Sequence, residues 1–331
     1  MTLSPYPVTP AKAGVHVRRR AVPLRRGGRW TPAYAGVTAL ALLASCAQPP
    51  ARTGGIVSTN PCADAILVRL AAPKRIAAIS HYSQEPAATS IPLDLARRFR
   101  ATAGAAEEVV ALRPDLVLAS SFTPPATRAA FEQARLRTLY LDSPATIAAS
   151  EAQVREIAAA LGERDRGEVL VAEIERSASI SPQRRPGHSR GQVRPERKPV
   201  SGNAAGPRPA PGRGRPGSGG ERRPAALLFI AGDLANGSGT LLDELLARAG
   251  FRNAAADYGL RHTGALPAEL LVADPPDVIL TPDPDSRLSA MRRRLLPRTP
   301  LITFPRELIN CGGPSIAPAL RRLRDIRASL G

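Results

Sequence analysis

Two thirteen-residue stretches of this chain carry the same succession of apolar and polar positions. Residues 106–118 read AEEVVALRPDLVL and residues 268–280 read AELLVADPPDVIL. Ala106, Glu107, Pro114, Asp115 and Leu118 recur as Ala268, Glu269, Pro276, Asp277 and Leu280, at an offset of 162 residues. In each copy a short apolar cluster (Val109, Val110, Leu112; Leu270, Leu271, Val272) suits one face of a helix. The proline ends that helix, and the apolar run after the aspartate suits a buried strand. A helix feeding a buried strand is a unit of a parallel sheet, so two copies predict two similar lobes.

The pattern between and around the copies agrees. Short apolar runs at 56–58, 75–80, 116–119 and 138–141 predict strands, with helices from Asn60-Pro61 through Leu70 and over 124–134. From Thr146 the periodicity is helical for more than thirty residues, broken only near Gly162, and this is the one long helical stretch between the lobes. Strands are predicted again at 226–230, 278–280 and 301–304, with helices at 240–249, 286–296 and 316–330. The expected fold is α/β: two lobes with parallel sheets covered by helices, joined by a single long backbone helix.

Charge changes the picture only at its edges. The net charge of +18 would suggest nucleic acid, but residues 1–30 hold seven basic residues and no acid, and residues 181–224 hold eleven basic residues and two acids. Only about +2 remains for the foldable sequence. Neither basic segment interleaves aromatics with its arginines, so nucleic-acid binding is not expected. Residues 181–224 contain 18 Pro and Gly in 44 positions and almost no apolar side chains, and read as a disordered surface insertion. In the leader, TPAKAGV (9–15) recurs as TPAYAGV (31–37) without apolar periodicity. The apolar run 33–44 has the length of a signal-peptide core and is too short to span a bilayer. It ends in Leu43-Ala44-Ser45-Cys46, which resembles the lipobox of bacterial lipoproteins and implies lipidation of Cys46. The expected organisation is therefore a leader with signal peptide (1–46), a tether (47–54), an N-terminal lobe (55–145), linking helices (146–180), the insertion (181–224) and a C-terminal lobe (225–331).

Two α/β lobes on a helical link behind an export signal resemble the helical-backbone class of periplasmic substrate-binding proteins of ABC importers, in particular the cobalamin and ferric-siderophore branch. The resemblance rests on the paired segments, on IVSTNPCAD (56–64) and on SGTLLDELLARAGFRNAA (238–255). It implies that Glu107 and Glu269 lie on the outer tips of the lobes and dock onto permease arginines, and that Tyr82 stands where cobalamin-binding members carry a cleft tyrosine. Both glutamates also suit a helix start on dipole grounds alone. The implied partners are an ABC permease with its ATPase subunits, a corrinoid or ferric chelate as ligand, and the membrane through a lipid anchor. The chain is expected to be a periplasmic monomer without a cofactor of its own.

Open α/β sheets place ligands at the carboxyl ends of their strands. The loops there nominate Asn60, His81, Tyr82, Phe122, Asn236, Tyr258, His262, Arg306 and Asn310 as ligand contacts, with the aromatic rings available to stack on a flat ligand. Cys62 and Cys311 fall in opposite cleft loops of an exported chain and either bridge the lobes or remain two partly buried thiols. His16 and His188 fall in the basic segments, leaving His81 and His262 in the lobes. No HxH, HExxH or paired-cysteine spacing supports a bare zinc or manganese receptor, the first alternative. The second is a cell-envelope interaction protein without a transport role. Ser80-His81 lacks the G-x-S-x-G context of a hydrolase, and no glycine-rich phosphate loop is present, so the chain is not expected to be an enzyme.

Overall fold

In a computed structural model, residues 54–179 and 222–330 are described. The leader with Cys46 and most of the basic insertion lie outside those residues. The chain begins β1 (Ile56–Ser58), α1 (Pro61–Leu70), β2 (Ile76–Ser80), α2 (Leu93–Ala96), β3 (Ala101–Thr102), α3 (Ala106–Leu112), β4 (Leu116–Ser120), α4 (Pro125–Gln133) and β5 (Thr138–Leu141). These five strands form one parallel sheet in the order β3-β2-β1-β4-β5. Two helices follow, α5 (Ile147–Leu161) and α6 (Arg164–Ser179), separated by Gly162 at φ +72. Glycine has no Cβ to resist that left-handed turn, and it closes α5 by donating its amide to the Ala158 and Ala159 carbonyls. The link between lobes is thus a helix pair rather than one uninterrupted rod.

The second lobe runs β6 (Ala225–Ala231), β7 (Leu234–Asn236), α7 (Leu241–Arg248), β8 (Arg252–Asn253), α8 (Ala254–Asp257), β9 (Thr263–Ala265), α9 (Ala268–Ala273), β10 (Val278–Thr281), α10 (Arg287–Leu295), β11 (Leu301–Thr303) and α11 (Ile316–Ser329). Its heart is again parallel, with β10 between β6 and β11 and β8 on the other side of β6. The order β8-β6-β10-β11 repeats β2-β1-β4-β5 of the first lobe. Beyond it, β7 and β9 add an antiparallel edge that the sequence pattern does not predict. Those strands are three residues long, too short for an alternation to register.

The repeated Pro-Asp has one job in both lobes. Asp115 Oδ2 accepts from the Gly55 amide at 2.7 Å, and Asp277 Oδ2 accepts from the Ala225 amide at 2.6 Å. Each aspartate also gives its own amide to the carbonyl of the same residue, at 2.8 and 2.9 Å. Every copy therefore pins the start of its lobe's first strand beside the strand it feeds, which fixes the register of β1 on β4 and of β6 on β10.

The core is shared. One buried apolar cluster runs through Ile66 and Leu67 of α1, Val154 and Ile157 of α5, Ile174 of α6, Leu245 of α7 and Leu320 and Leu323 of α11. Smaller clusters fill the outer faces of the two sheets. Because apolar packing crosses from lobe to lobe, the pair behaves as one packed body and not as two bodies on a loose hinge. Among the described residues no helix is long and apolar enough to cross a membrane.

Candidate functional site

The carboxyl edges of the two sheets meet at a covalent joint. Cys62, in the first turn after β1, is disulfide-bonded to Cys311, in the loop after β11, with an S–S distance of 2.09 Å and a Cα–Cα distance of 5.1 Å. Around it the Asn310 side-chain amide donates to the Ala88 carbonyl at 3.3 Å, and the Gly313 amide donates to Ser150 Oγ at 2.6 Å. A Cβ on Gly313, at φ +63, would stand 2.9 Å from Ile66 Cγ1, so the loop reaches α1 this closely only as glycine. The amide of Ile147 completes the junction with a 2.8 Å hydrogen bond to Glu244 of α7.

On the first lobe three strand ends present polar and aromatic groups side by side. Asn60, after β1, turns its side-chain oxygen to the Cys62 amide (2.9 Å) and caps α1, so that oxygen is committed to the fold. His81 and Tyr82, after β2, stack with ring centroids 4.0 Å apart, and Tyr82 is 48% exposed. His81 Nδ1 lies 3.3 Å from the Thr102 carbonyl. A carbonyl only accepts, so Nδ1 carries a proton, and Nε2 lies 3.9 Å from Glu85. Phe122, after β4, is 80% exposed. Because β2 and β4 flank β1, Tyr82 and Phe122 stand on either side of Asn60.

Two residues that the sequence reading did not single out hold this edge. Asp64 is fully buried under it, accepting from the Ser80 amide (3.0 Å) and the Ser83 hydroxyl (2.7 Å), the residues on either side of His81 and Tyr82. Burial pushes its carboxyl up to about 7, against the pull of the Ser83 hydroxyl, the Ser80 amide and the nearby Ser58 hydroxyl. Arg128 of α4 donates to the carbonyls of Ser121 and Thr123, bracing the loop that carries Phe122, and its guanidinium lies 4.1 Å from the centre of the Tyr140 ring. An acid at an apolar register of α1 was the available signal for Asp64; nothing local marks Arg128.

The second lobe contributes less than its sequence suggests. Arg306 is held at the edge by Asp283 and by the Ile230 carbonyl (3.2 Å), and Asn310 belongs to the junction. Asn236, Tyr258 and His262 do not join them, which corrects the expectation for all three. β7 runs antiparallel to β6 and carries the chain away from the carboxyl edge, with Asn236 paired to Thr263 of β9. The Tyr258 hydroxyl is engaged by the Asp274 carbonyl, ahead of β10. His262 is exposed one residue before β9, where its carbonyl accepts from Gly237. Loops on both sides of a two- or three-residue strand look alike in sequence, and only pairing direction separates them.

Glu107 and Glu269 are both exposed, each the second residue of its short helix, α3 or α9. Their neighbour Glu108 is used locally, accepting from the Thr102 hydroxyl and the Ala103 amide, and these bonds hold its carboxyl below the usual range. Among the described residues no group of three or more His, Cys, Asp or Glu is gathered to hold a metal ion.

Comparison with known proteins agrees with this architecture. Residues 56–179 match the family described as periplasmic binding protein. Among solved structures, the periplasmic haem-binding protein RhuT from Roseiflexus sp. RS-1 is 19% identical with a TM-score of 0.57, over 84% of this chain and 98% of that one. The haem-binding protein HutB of Vibrio cholerae is 14% identical with a TM-score of 0.61, over 83% and 99%. The vitamin B12 binding protein BtuF of Vibrio cholerae is 15% identical with a TM-score of 0.55, over 85% and 98%. No curated protein matches the chain by sequence search. The family match covers less than half of the chain, and the solved structures, each under 25% identical, show that the described residues share the fold of these binding proteins. The matched family and these solved structures are described as binding proteins.

Proposed function

We propose that the chain captures a metal-centred chelate, a corrinoid, a haem or a ferric siderophore, between the facing carboxyl edges of its lobes and delivers it to an ABC permease. The observation that carries this reading is the His81–Tyr82 pair: a solvent-facing phenol stacked on an imidazole that the Thr102 carbonyl holds by Nδ1, so that Nε2 is not used by the backbone. A phenolate and a neutral imidazole are ligands for iron or cobalt at an open axial position, and two rings plus Phe122 offer surface for a planar macrocycle. Arg306, fixed by Asp283 on the other lobe, supplies a cation toward a ligand's acidic groups. The ligands named for RhuT, HutB and BtuF, haem and vitamin B12, belong to this chemical class. With only two imidazoles in the lobes and no gathered ligand set among the described residues, a bare-ion receptor has less support.

The test is titration of the chain from residue 47 onward, which holds every described element, with haemin, cobalamin and several ferric siderophores, followed by absorbance and melting temperature. One of them should bind with a shifted absorption band, and Tyr82→Ala should weaken it about tenfold or more, as loss of a stacking and ligating ring requires. Binding of free zinc or manganese alone would overturn the chelate reading.

Delivery rests on Glu107 and Glu269 as exposed carboxylates at matched positions of the two lobes, each suited to a charge-assisted pair with a permease arginine. Glu107→Arg with Glu269→Arg should abolish uptake in cells while ligand affinity stays within about threefold. We place the protein in the periplasm, held to a membrane by lipid on Cys46. Cys46→Ala should release it from the membrane fraction, and unchanged retention would count against the lipobox.

A further inference from the structure

Nine large apolar side chains are exposed among the described residues, and they are not scattered. Tyr82 and Phe122 stand at the edge proposed above for the ligand. Five others, Leu270, Val272, Leu288, Met291 and Leu295, belong to α9 and α10. Leu288, Met291 and Leu295 follow one another at helical spacing along α10, and between α10 and α9 lies a groove of about 190 Å³ lined by Leu271, Val272 and these three residues. The same helix is strongly basic. Arg292 turns inward, 3.4 Å from the centre of the Phe229 ring, and donates to the Gly232 carbonyl. Arg287, Arg293, Arg294 and, just beyond the helix, Arg298 are exposed, and none has an ion-pair partner among the described residues.

We propose that the α9–α10 face of the C-terminal lobe is a membrane-contact surface that settles on anionic lipid headgroups. Exposed apolar residues in a stripe, flanked by arginines free to reach phosphates, form the pattern of a helix that lies in the interfacial plane. The long arginine stems cover apolar surface while their guanidinium groups remain at headgroup level. Charge decides against the permease as occupant. On the docking reading above, which this inference extends, the permease presents arginines to Glu269, and such a surface would repel the four arginines beside it. Anionic lipid around the permease complements them. With Glu269 on the same α9, one tip of the lobe would meet permease and bilayer together, and the contact would orient a tethered protein with that tip down.

The experiment is flotation of the chain from residue 47 onward with vesicles of phosphatidylcholine alone and of phosphatidylcholine with phosphatidylglycerol. Binding is expected only to the anionic vesicles and should weaken at about 0.5 M salt, where the screening length falls to a few ångström. Arg293→Gln with Arg294→Gln, and separately Met291→Ser with Leu295→Ser, should each lower vesicle binding about fivefold or more while melting temperature and chelate binding stay as in the unaltered chain. Equal vesicle binding by these variants would overturn the proposal. So would binding that disappears only when residues 185–220 are deleted, which would make the basic insertion the membrane contact. If the variants float normally yet lose uptake in cells, the occupant is the permease and the lipid assignment is wrong. No permease is present in the vesicles, so failure here leaves the docking of Glu107 and Glu269 to be judged by its own uptake test.

Discussion

Asp64 carries the largest electrostatic cost visible in the fold. Its Oδ2 takes hydrogen bonds from the Ser80 amide and the Ser83 hydroxyl, but Oδ1 is buried without a hydrogen-bond partner among the described residues. Burial favours the neutral acid, so the folded carboxyl titrates near 7 instead of 3.8. The folded state therefore binds more protons than the unfolded chain between those values. Stability contributed by the neutral form is complete below about pH 4 and is lost as pH rises to about 7, a change on the order of a few kcal/mol. Urea unfolding of the unaltered chain should show stability falling from pH 5 to pH 8, and Asp64→Asn should flatten that slope. An equally steep slope in the variant would show that another group is responsible. Asp64→Ala should cost about 2 kcal/mol at pH 5, since it strands a buried amide and a hydroxyl. A chelate that depends on Tyr82 should weaken in the same variant, because the loop on both sides of that ring loses its anchor.

At the scale of elements, the fit of α5 against α6 hinges on Gly167. A Cβ there would stand 2.4 Å from the Ala158 Cβ, well inside contact distance. Alanine is the better helix former by about 1 kcal/mol, so on propensity alone Gly167→Ala would stabilise α6. The clash reverses the sign: the two helices must part along a shared apolar seam that includes Ile157, Leu170 and Val171. The expected result is a net loss of about 1–3 kcal/mol, read as a lower denaturation midpoint. A gain would mean that the pair separates freely. The strand starts give a matched pair of tests. Asp115→Ala and Asp277→Ala each remove a side-chain clamp on the first strand of a lobe, and each should cost about 1–2 kcal/mol. Hydrogen exchange should rise at Gly55 in one variant and at Ala225 in the other. The repeat that reveals these residues is local in sequence, which is why it was legible there. β7 and β9 carry no such repeat or alternation, and they are what removes Asn236 and His262 from the edge.

For the whole molecule, the disulfide and the shared core set how far the lobes can move. Cys62 and Cys311 are 249 residues apart in sequence, so the bridge restricts nearly the whole unfolded chain, and a stabilisation of about 2–4 kcal/mol is expected. Cys62→Ser with Cys311→Ser should lower the denaturation midpoint accordingly. The packing of α1, α5, α6 and α11 remains in that variant, so small-angle scattering should show little change in its radius of gyration. A marked expansion would mean that the bridge, not the core, holds the lobes together. Ligand capture on such a frame should proceed by local adjustment at the edge loops, not by wide closure.

Apolar periodicity and a repeated Pro-Asp were enough to read two lobes, their parallel strands and the helical link, because those features are written into neighbouring residues. The two exposed glutamates were legible for the same reason. Tertiary structure alone decided which loops share the candidate edge. The first lobe's candidate edge is an assembly of strand ends: His81-Tyr82 after β2 and Phe122 after β4 come together only through the strand order, and the Cys62–Cys311 joint sets the loop after β11, which also carries Arg306, against that lobe. Pairing direction, which no short segment encodes, separates these from Asn236, Tyr258 and His262. Burial is likewise a property of the assembled core. The same aspartate that would titrate normally on an open helix becomes, at position 64, the acid that holds the His81–Tyr82 loop.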